Sequence, residues 1–140
     1  MTKKQLGVFL VVVIIFILAF LSYRYLFNKP NLNVKNTKEI SITALPSPPK
    51  VKKVINQVDI EKFASFFNSI MFTPTIHQNS KGWQIKIETN GSERHTIYFV
   101  GNKVCFDGIW YSIKNDVTQD MNNLYQILDY PEKSVTSNTN

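Results

Sequence analysis

The sequence predicts a small α+β domain carried behind one transmembrane helix. A run of sixteen residues without a charged or strongly polar side chain, LGVFLVVVIIFILAFL, occupies positions 6–21. Farther along, apolar and polar residues alternate in short segments separated by glycine-containing turns, which is typical of an antiparallel sheet. On either side of those segments, apolar residues recur at helical spacing, which indicates two amphipathic helices. These three patterns together define the expected fold class.

The apolar run predicts a membrane-spanning helix from Leu6 to Phe27. Its 22 residues meet the requirement of about 20 helical residues for a hydrocarbon core about 30 Å thick. A cleaved signal peptide is the alternative, but its apolar region is usually shorter and is followed by small residues at the cleavage site. The residues that follow here, FLSY at positions 20–23, make a poor cleavage site. We therefore expect an uncleaved anchor.

The orientation of this helix depends on the charges that flank it. Lys3 and Lys4 favour a cytoplasmic N-terminus, whereas the other end of the helix has four basic residues at or within about 20 residues of it and leaves the charge rule nearly balanced: Arg24, Lys29, Lys35 and Lys38. A short basic head before a long apolar run is typical of a signal-anchor. We expect a single-pass protein of the cell membrane with a cytoplasmic N-terminus and an extracytoplasmic C-terminal domain.

The net charge of +6 is concentrated near the membrane segment. Residues 1–58 hold nine basic residues and one acidic residue, whereas residues 59–140 hold seven basic and nine acidic residues. A nucleic-acid-binding domain would be expected to carry a basic face, so we expect no nucleic-acid partner. Lys50, Lys52 and Lys53 form a basic run that either rests against anionic lipid or is simply solvated, and we favour the solvated interpretation.

Composition divides the chain into four parts. Residues 1–28 form a cytoplasmic head and the transmembrane anchor. Residues 29–50, rich in Asn, Pro and Lys, are predicted to be a linker with a short strand at 40–44. Residues 51–130 form the α+β domain, and residues 131–140 form a polar tail.

Within the domain, residues 51–58 are predicted to be a short strand that leads into a helix. Asp59 is a suitable N-cap for this helix, and its apolar face extends through Met71. In D-V-T-Q, which begins at Asp116, Gln119 stands three residues on, as in a capping box at the start of the second helix.

Between the helices, the alternation predicts a four-strand antiparallel meander. Its strands begin at Trp83, Arg94, Lys103 and Ile109, and Asn90-Gly91, Gly101-Asn102 and Asp107-Gly108 form the turns. One or two short strands complete the sheet. Both helices are expected to pack on the face that holds Ile85, Ile87, Ile97, Phe99, Val104, Phe106, Tyr111 and Ile113.

Candidate chemistry in the domain is sparse. A thiol nucleophile needs a nearby base, and the sequence offers Cys105 with the histidines His77 and His95. No nucleophile turn surrounds Cys105, and a small buried cysteine usually serves packing. One cysteine and two distant histidines do not make a recognisable metal spacing, and no glycine-rich phosphate loop is present. We expect no enzyme activity, no metal and no cofactor.

The other face of the meander carries the candidate partner-binding patch. Alternation places Tyr98, Cys105 and Trp110 away from the core, with Thr96, Lys103 and Ser112 nearby. Tyr98, Lys103 and Trp110 would form a recognition surface. The alternative is that strands around 40–45 or 51–55, or the second helix, cover this face.

Several segments of the domain together carry a resemblance to a known group of proteins. They include N-S-I (68–70), G-W-Q-I-K-I (82–87), H-T-I-Y-F (95–99) and D-G-I-W-Y-S-I (107–113). Over about residues 39–130, the pattern resembles small uncharacterised membrane-anchored proteins of low-GC Gram-positive bacteria. The resemblance implies an extracytoplasmic α+β domain and carries no functional residues.

The leading hypothesis is a non-enzymatic, membrane-tethered interaction or sensing module with a protein or cell-envelope partner. One alternative is an envelope enzyme or enzyme accessory that uses Cys105 and His95. The other is a small subunit of a larger membrane complex, held mainly through its transmembrane helix.

Overall fold

The chain consists of one long N-terminal helix followed by an antiparallel sheet with two helices. The structure is a computed structural model that describes residues 3–27, 29–44, 49–76, 82 and 84–135, so that Trp83 and His77 lie outside the described residues. The elements are α1 (Lys3–Phe27), a 3-10 turn (Val34–Asn36), β1 (Thr37–Ala44), β2 (Lys50–Val54), α2 (Gln57–Ser69), β3 (Phe72–Pro74), β4 (Ile85–Gly91), β5 (Thr96–Val100), β6 (Lys103–Phe106), β7 (Ile109–Ile113), α3 (Thr118–Ile127) and β8 (Lys133–Ser134). The predicted α+β class is confirmed.

Helix α1 is long and apolar enough to cross a membrane. The stretch that meets this criterion runs from Gln5 to Tyr23, and none of it is buried against the rest of the protein. A helix that is apolar on every side and packs against nothing in its own chain lacks the polar face that a surface helix of a water-soluble domain would show.

All strands of the sheet pair antiparallel, in the order β3-β7-β6-β5-β4-β1-β2-β8. The sheet is therefore larger than predicted. Strand β3 comes from the residues expected to end the first helix, and it pairs with β7. Strand β8 comes from the expected polar tail, where Lys50 pairs with Ser134. Residues 136–140 of that tail lie outside the described part of the chain.

The core lies between one face of the sheet and the helices α2 and α3. Phe67 of α2 is central to it: its ring lies 5.2 Å from that of Phe72, 5.8 Å from that of Phe106 and 6.4 Å from that of Phe99, centre to centre. Helix α3 contributes Met121, which is fully buried. Aromatic pairs at these separations add to the free energy gained from burial alone. The face that packs against the helices is the one predicted from the alternation.

Residues 29–50, predicted to be a linker, belong largely to the fold. Leu32 is buried in the core at 2% exposure. Its backbone N–H donates to Asn68 Oδ1 at 2.8 Å, and Asn68 Nδ2 donates to the Leu32 carbonyl oxygen at 3.0 Å. Strand β1 then runs through the expected short strand and beyond it, with Ile40 and Ile42 in the core. This segment has the composition of a linker, yet it pairs with β2 a few residues farther on and with β4 about 45 residues away.

The predicted cap of the first helix is wrong by three residues. Helix α2 is capped by Asn56, whose Oδ1 accepts a hydrogen bond from Val58 N at 2.9 Å. Asp59 lies in the first turn, and its Oδ2 accepts from the Tyr130 hydroxyl at 2.9 Å. The helix ends at Ser69, and Met71 is 70% exposed instead of extending the apolar face.

The second helix begins close to the predicted position, but without the reciprocal capping box. Asp116 Oδ1 accepts from Thr118 N at 2.8 Å. The side chain of Gln119 instead donates to Asn123 Oδ1 at 3.0 Å, so it does not reach back to the start of the helix.

The predicted Asn90-Gly91 turn is also wrong. Gly91 is the last residue of β4 and pairs with Thr37 of β1, and the chain turns after it. A Cβ atom at this position would collide with the carbonyl oxygen of Asn36. Glycine is needed here for a close approach of two backbones. A two-residue hairpin turn with positive φ does form at Asp107 (49°) and Gly108 (85°).

The basic run at 50–53 is neither solvated throughout nor free to rest on lipid. Lys52 is only 6% exposed because the register places it opposite Ile42, on the face that packs against the helices. Its Nζ donates to the carbonyl oxygens of Tyr125 at 2.9 Å and Leu128 at 2.8 Å. A cation at this position satisfies carbonyls at the end of α3 and the negative end of its dipole.

We expect Lys52→Met to lower the free energy of unfolding by about 2 kcal/mol, because two buried carbonyl oxygens lose a charged donor. Lys53→Met is the matched control. Lys53 lies next to Lys52 and pairs with Glu39 at 3.0 Å on the surface, so its loss should cost less than about 1 kcal/mol. Urea unfolding of the full chain in detergent micelles measures both. Equal losses would contradict the role assigned to Lys52.

We expect Gly91→Ala to destabilise the fold by about 3 kcal/mol or more, because the added methyl group displaces a paired backbone. Gly101→Ala tests the opposite case. Gly101 has open space around its missing side chain but a φ of 58°, so alanine there should cost about 1–2 kcal/mol. A smaller loss at Gly91 than at Gly101, measured by the same urea titration, would disprove the close-approach explanation.

Candidate functional site

The face of the sheet opposite the helices, called the outer face below, carries one continuous row of paired side chains. From β1 to β7, each residue of the row pairs with the next across the strands: Thr43, Lys86, Tyr98, Cys105 and Trp110. Because paired residues in an antiparallel sheet point to the same side, all five belong to the outer face.

The predicted patch residues lie together on this face. Tyr98 and Trp110 flank Cys105 on its two neighbouring strands, and Lys103 pairs with Ser112 one step along the same face. Tyr98, Lys103 and Trp110 are all partly exposed, and each also makes at least one interaction within the chain. The partly exposed aromatic rings give this face the amphipathic character of a recognition surface.

The elements expected to cover this face do not do so. Strands β1 and β2 extend the same sheet instead of crossing over it. Helix α3 packs on the opposite face, where the carbonyls of Tyr125 and Leu128 accept from Lys52. Within the described residues, both helices of the domain therefore lie on one side and leave the outer face to the strands.

The charges of the outer face are largely paired along the surface. Lys86 Nζ lies 2.9 Å from Glu88 Oε1 and 6.0 Å from the centre of the Tyr98 ring, at the limit of a cation–π interaction. Hydroxyl groups of Thr43 and Ser112 lie in the same register rows. The outer face therefore combines aromatic rings, hydroxyl groups and an ion pair.

Cys105 occupies the middle of this face but is only 6% exposed. Burial raises the pKa of the Cys105 thiol, and the negative charge of Asp107 raises it further, against the opposing effect of the Gly108 amide. A raised pKa means less thiolate at neutral pH and a less reactive sulfur.

His95 lies on the other side of the sheet from Cys105. Its ring packs 4.9 Å from that of Phe106, which in turn stacks on Phe67 of α2. Cys105 pairs with Tyr98 and points to the outer face. The structure therefore does not bring together the thiol and the imidazole that the sequence offered as a catalytic pair.

His95 instead links the loop before β5 to the turn between β6 and β7. Sequence patterns did not predict this arrangement. Its Nδ1 lies 2.7 Å from Asp107 Oδ2, and its Nε2 lies 3.7 Å from Glu93 Oε2. Asp107 Oδ1 also accepts from Thr96 N at 2.8 Å. Among the described residues, Nε2 is buried without a hydrogen bond. The sequence held one signal for it: the Asp107-Gly108 turn, together with a histidine near the start of a neighbouring predicted strand.

A metal site is not evident in the described part of the chain. No group of three or more His, Cys, Asp or Glu side chains there could hold a metal ion. One open cleft of about 260 Å³ is lined by Lys29, Pro30, Asn31, Phe106, Asp107, Ile109 and Tyr111. This volume is below the roughly 300 Å³ at which small-molecule sites usually begin.

Comparison with protein-family models, with curated proteins and with solved structures finds no match to this chain. The geometry of the outer face is therefore the basis for a functional proposal.

We expect iodoacetamide to modify Cys105 in the folded chain at least about tenfold more slowly than in the urea-unfolded chain at the same pH near 7, because the folded thiol is shielded and its pKa is raised. Mass spectrometry of the full chain in detergent micelles follows the reaction. Equal rates in the two states would show an accessible, activated thiol and would revive the enzyme hypothesis.

Proposed function

We propose that this protein is a non-enzymatic, membrane-tethered module that presents an interaction or sensing surface outside the cytoplasm. The observation that carries the proposal is the outer face, where Tyr98 and Trp110 flank Cys105 on its two neighbouring strands, on the side of the sheet that neither α2 nor α3 covers. Lys103 extends the same surface by one residue pair. The meander formed by β4 to β7 presents all three side chains.

In this proposal, α1 is a signal-anchor that crosses the cell membrane once. Its length and apolar character support this role, and the basic residues Lys3 and Lys4 favour a cytoplasmic N-terminus. The domain then faces the cell envelope, as in the small Gram-positive membrane proteins that its sequence pattern resembles.

The chemistry of the outer face favours a protein or a polar envelope component as the partner. Tyrosine and tryptophan are the residues that contribute most often to binding free energy in protein interfaces. Their rings bury a large area at a small cost in conformational entropy, and Lys86 and Lys103 supply donors beside them. Charged residues of both signs on the rest of the face would limit non-specific adhesion.

The alternative of an enzyme that uses Cys105 and His95 has less support, because the sheet separates the two side chains. The alternative of a subunit held mainly through α1 remains a distinct proposal. It predicts a partner that does not depend on the outer face.

We expect the double variant Tyr98→Ser, Trp110→Ser to reduce capture of a crosslinked partner at least about tenfold, because two aromatic side chains are lost from the interface. The experiment crosslinks the full chain in native membranes, purifies it by an affinity tag and quantifies the crosslinked species by mass spectrometry. The matched control is Met71→Ser, Ile127→Ser, which removes two apolar side chains that are 70% and 76% exposed on the helices' side of the domain.

The outcomes separate the proposals. Loss in the outer-face variant alone supports the interaction module. Equal capture by the native chain and both variants supports a complex held through α1. Recovery of monomer alone from the native chain contradicts both partner-based proposals.

A further inference from the structure

The membrane helix continues into the domain with almost no spacer. Helix α1 ends at Phe27, Pro30 is already buried, and Leu32 is held by the two hydrogen bonds to Asn68. Five residues of fully extended chain span at most about 17 Å, so Leu32 lies within that distance of the end of the helix. The end of the domain that holds Leu32 must therefore stay close to the bilayer surface in which α1 sits.

Exposed basic side chains cluster at this end of the domain. Lys29 follows the helix, Lys35 lies in the 3-10 turn, and Lys38 lies at the irregular start of β1. Arg94 lies in the adjoining loop, which is bonded to the 3-10 turn through Ser92 N and the Asn36 carbonyl oxygen at 3.0 Å. Lys29, Lys35, Lys38 and Arg94 are called the basic collar below.

The collar has no acidic partner within the described residues. The carboxylates of Glu93 and Asp107 lie beside the collar, and both interact with other groups. Glu93 Oε1 accepts from Asn36 Nδ2 at 3.0 Å, and its other oxygen faces His95. Asp107 binds His95 and the Thr96 amide. No collar side chain is held in an ion pair among the described residues, and even with the carboxylates of Glu93 and Asp107 counted this end of the domain keeps a net positive charge.

The other lysines near the anchor in sequence are engaged within the fold. Lys52 is buried, Lys50 pairs with Glu132 at 2.8 Å, and Lys53 pairs with Glu39. The lysines of the basic run at 50–53 are therefore either buried or held in ion pairs. The collar residues, which the short connection holds near the membrane, make no such ion pair among the described residues.

We propose that the basic collar binds the anionic headgroups of the bilayer that α1 crosses, and so holds the domain down on the membrane surface. The inference rests on the proposed function in one respect, namely that α1 spans the membrane. Each basic residue near an anionic surface contributes about a fivefold gain in binding, and the effect decays within a Debye length of about 10 Å at 0.1 M salt. The short connection keeps the collar near that range.

A collar-bound domain would restrict the position of its partner. With the domain held at the headgroups, the outer face reaches only molecules within about one domain diameter of the bilayer. The partner would then be a membrane protein or the layer next to the membrane, not a component deep in the cell wall.

Paramagnetic relaxation of backbone amides tests the proposal in the full chain. The chain is reconstituted in nanodiscs of phosphatidylcholine, with or without phosphatidylglycerol, that contain a trace of lipid with a gadolinium-chelating headgroup. We expect relaxation of the Lys35 and Arg94 amides to be at least about twofold stronger in the anionic discs, since the effect rises steeply as distance falls. Salt at about 1 M should abolish the difference.

The variant Lys35→Gln, Lys38→Gln, Arg94→Gln should lose the difference between the two lipid compositions. The control Lys62→Gln, Lys114→Gln, Lys133→Gln removes the same charge from exposed positions elsewhere and should keep it. Unchanged amide shifts outside the substituted segments verify that both variants fold. Equal relaxation in both lipids, in a chain that resists extraction by alkaline carbonate, overturns the collar and leaves the anchor intact. Extraction of the chain by carbonate overturns the anchor itself.

Discussion

The position of β1 between β4 and β2 is the constraint on which the rest of the fold depends. Residues from Thr37 to Ala44 pair with β4 on one edge and with β2 on the other. This pairing places Ile40 and Ile42 on the helix-packed face and joins the hairpins of β4 to β7 with the strands β2 and β8. Without it the sheet would end at β4, Lys52 would not reach the end of α3, and the apolar faces of both helices would lack part of their packing surface.

The position of β1 also bears on the proposed function, because it sets the distance of the sheet from α1 and leaves the outer face to the strands. Because β1 begins ten residues after α1 ends, the sheet and α1 are closely coupled, and no long tether separates them. Because β1 and β2 lie within the sheet, they do not shield the outer face, where Tyr98 and Trp110 are found. The sheet divides the domain into a helix-covered side, with His95 and Phe106, and an outer side, with Cys105. This division underlies the proposed recognition role, because it keeps the thiol and the imidazole on opposite sides of the sheet.

Sequence patterns predicted the two helices and the core face of the sheet, but they missed the caps, one turn and the pairing of distant strands. Strict alternation at Ile85 and Ile87, and again at Ile97 and Phe99, identified the core face, and the same alternation placed Tyr98 and Trp110 on the other. One of the two partners of β1, strand β4, lies about 45 residues away, so Ile40 and Ile42 in a polar, proline-containing stretch did not reveal a central strand. The roles of Lys52, Asn68 and Gly91 depend on what the fold brings against them, which no local pattern records.

Native-state hydrogen exchange of β1 in the full chain tests the central claim most directly. If β1 is the strand that joins the sheet, the amides that bond it to its neighbours between Ile40 and Thr43 should open only with global unfolding. Their protection should then match that of the most protected amides of β5, to within about tenfold. If they exchange at the rate of an unstructured peptide while those of β5 remain protected, residues 29–44 are a linker, and the close coupling of α1 to the domain is wrong.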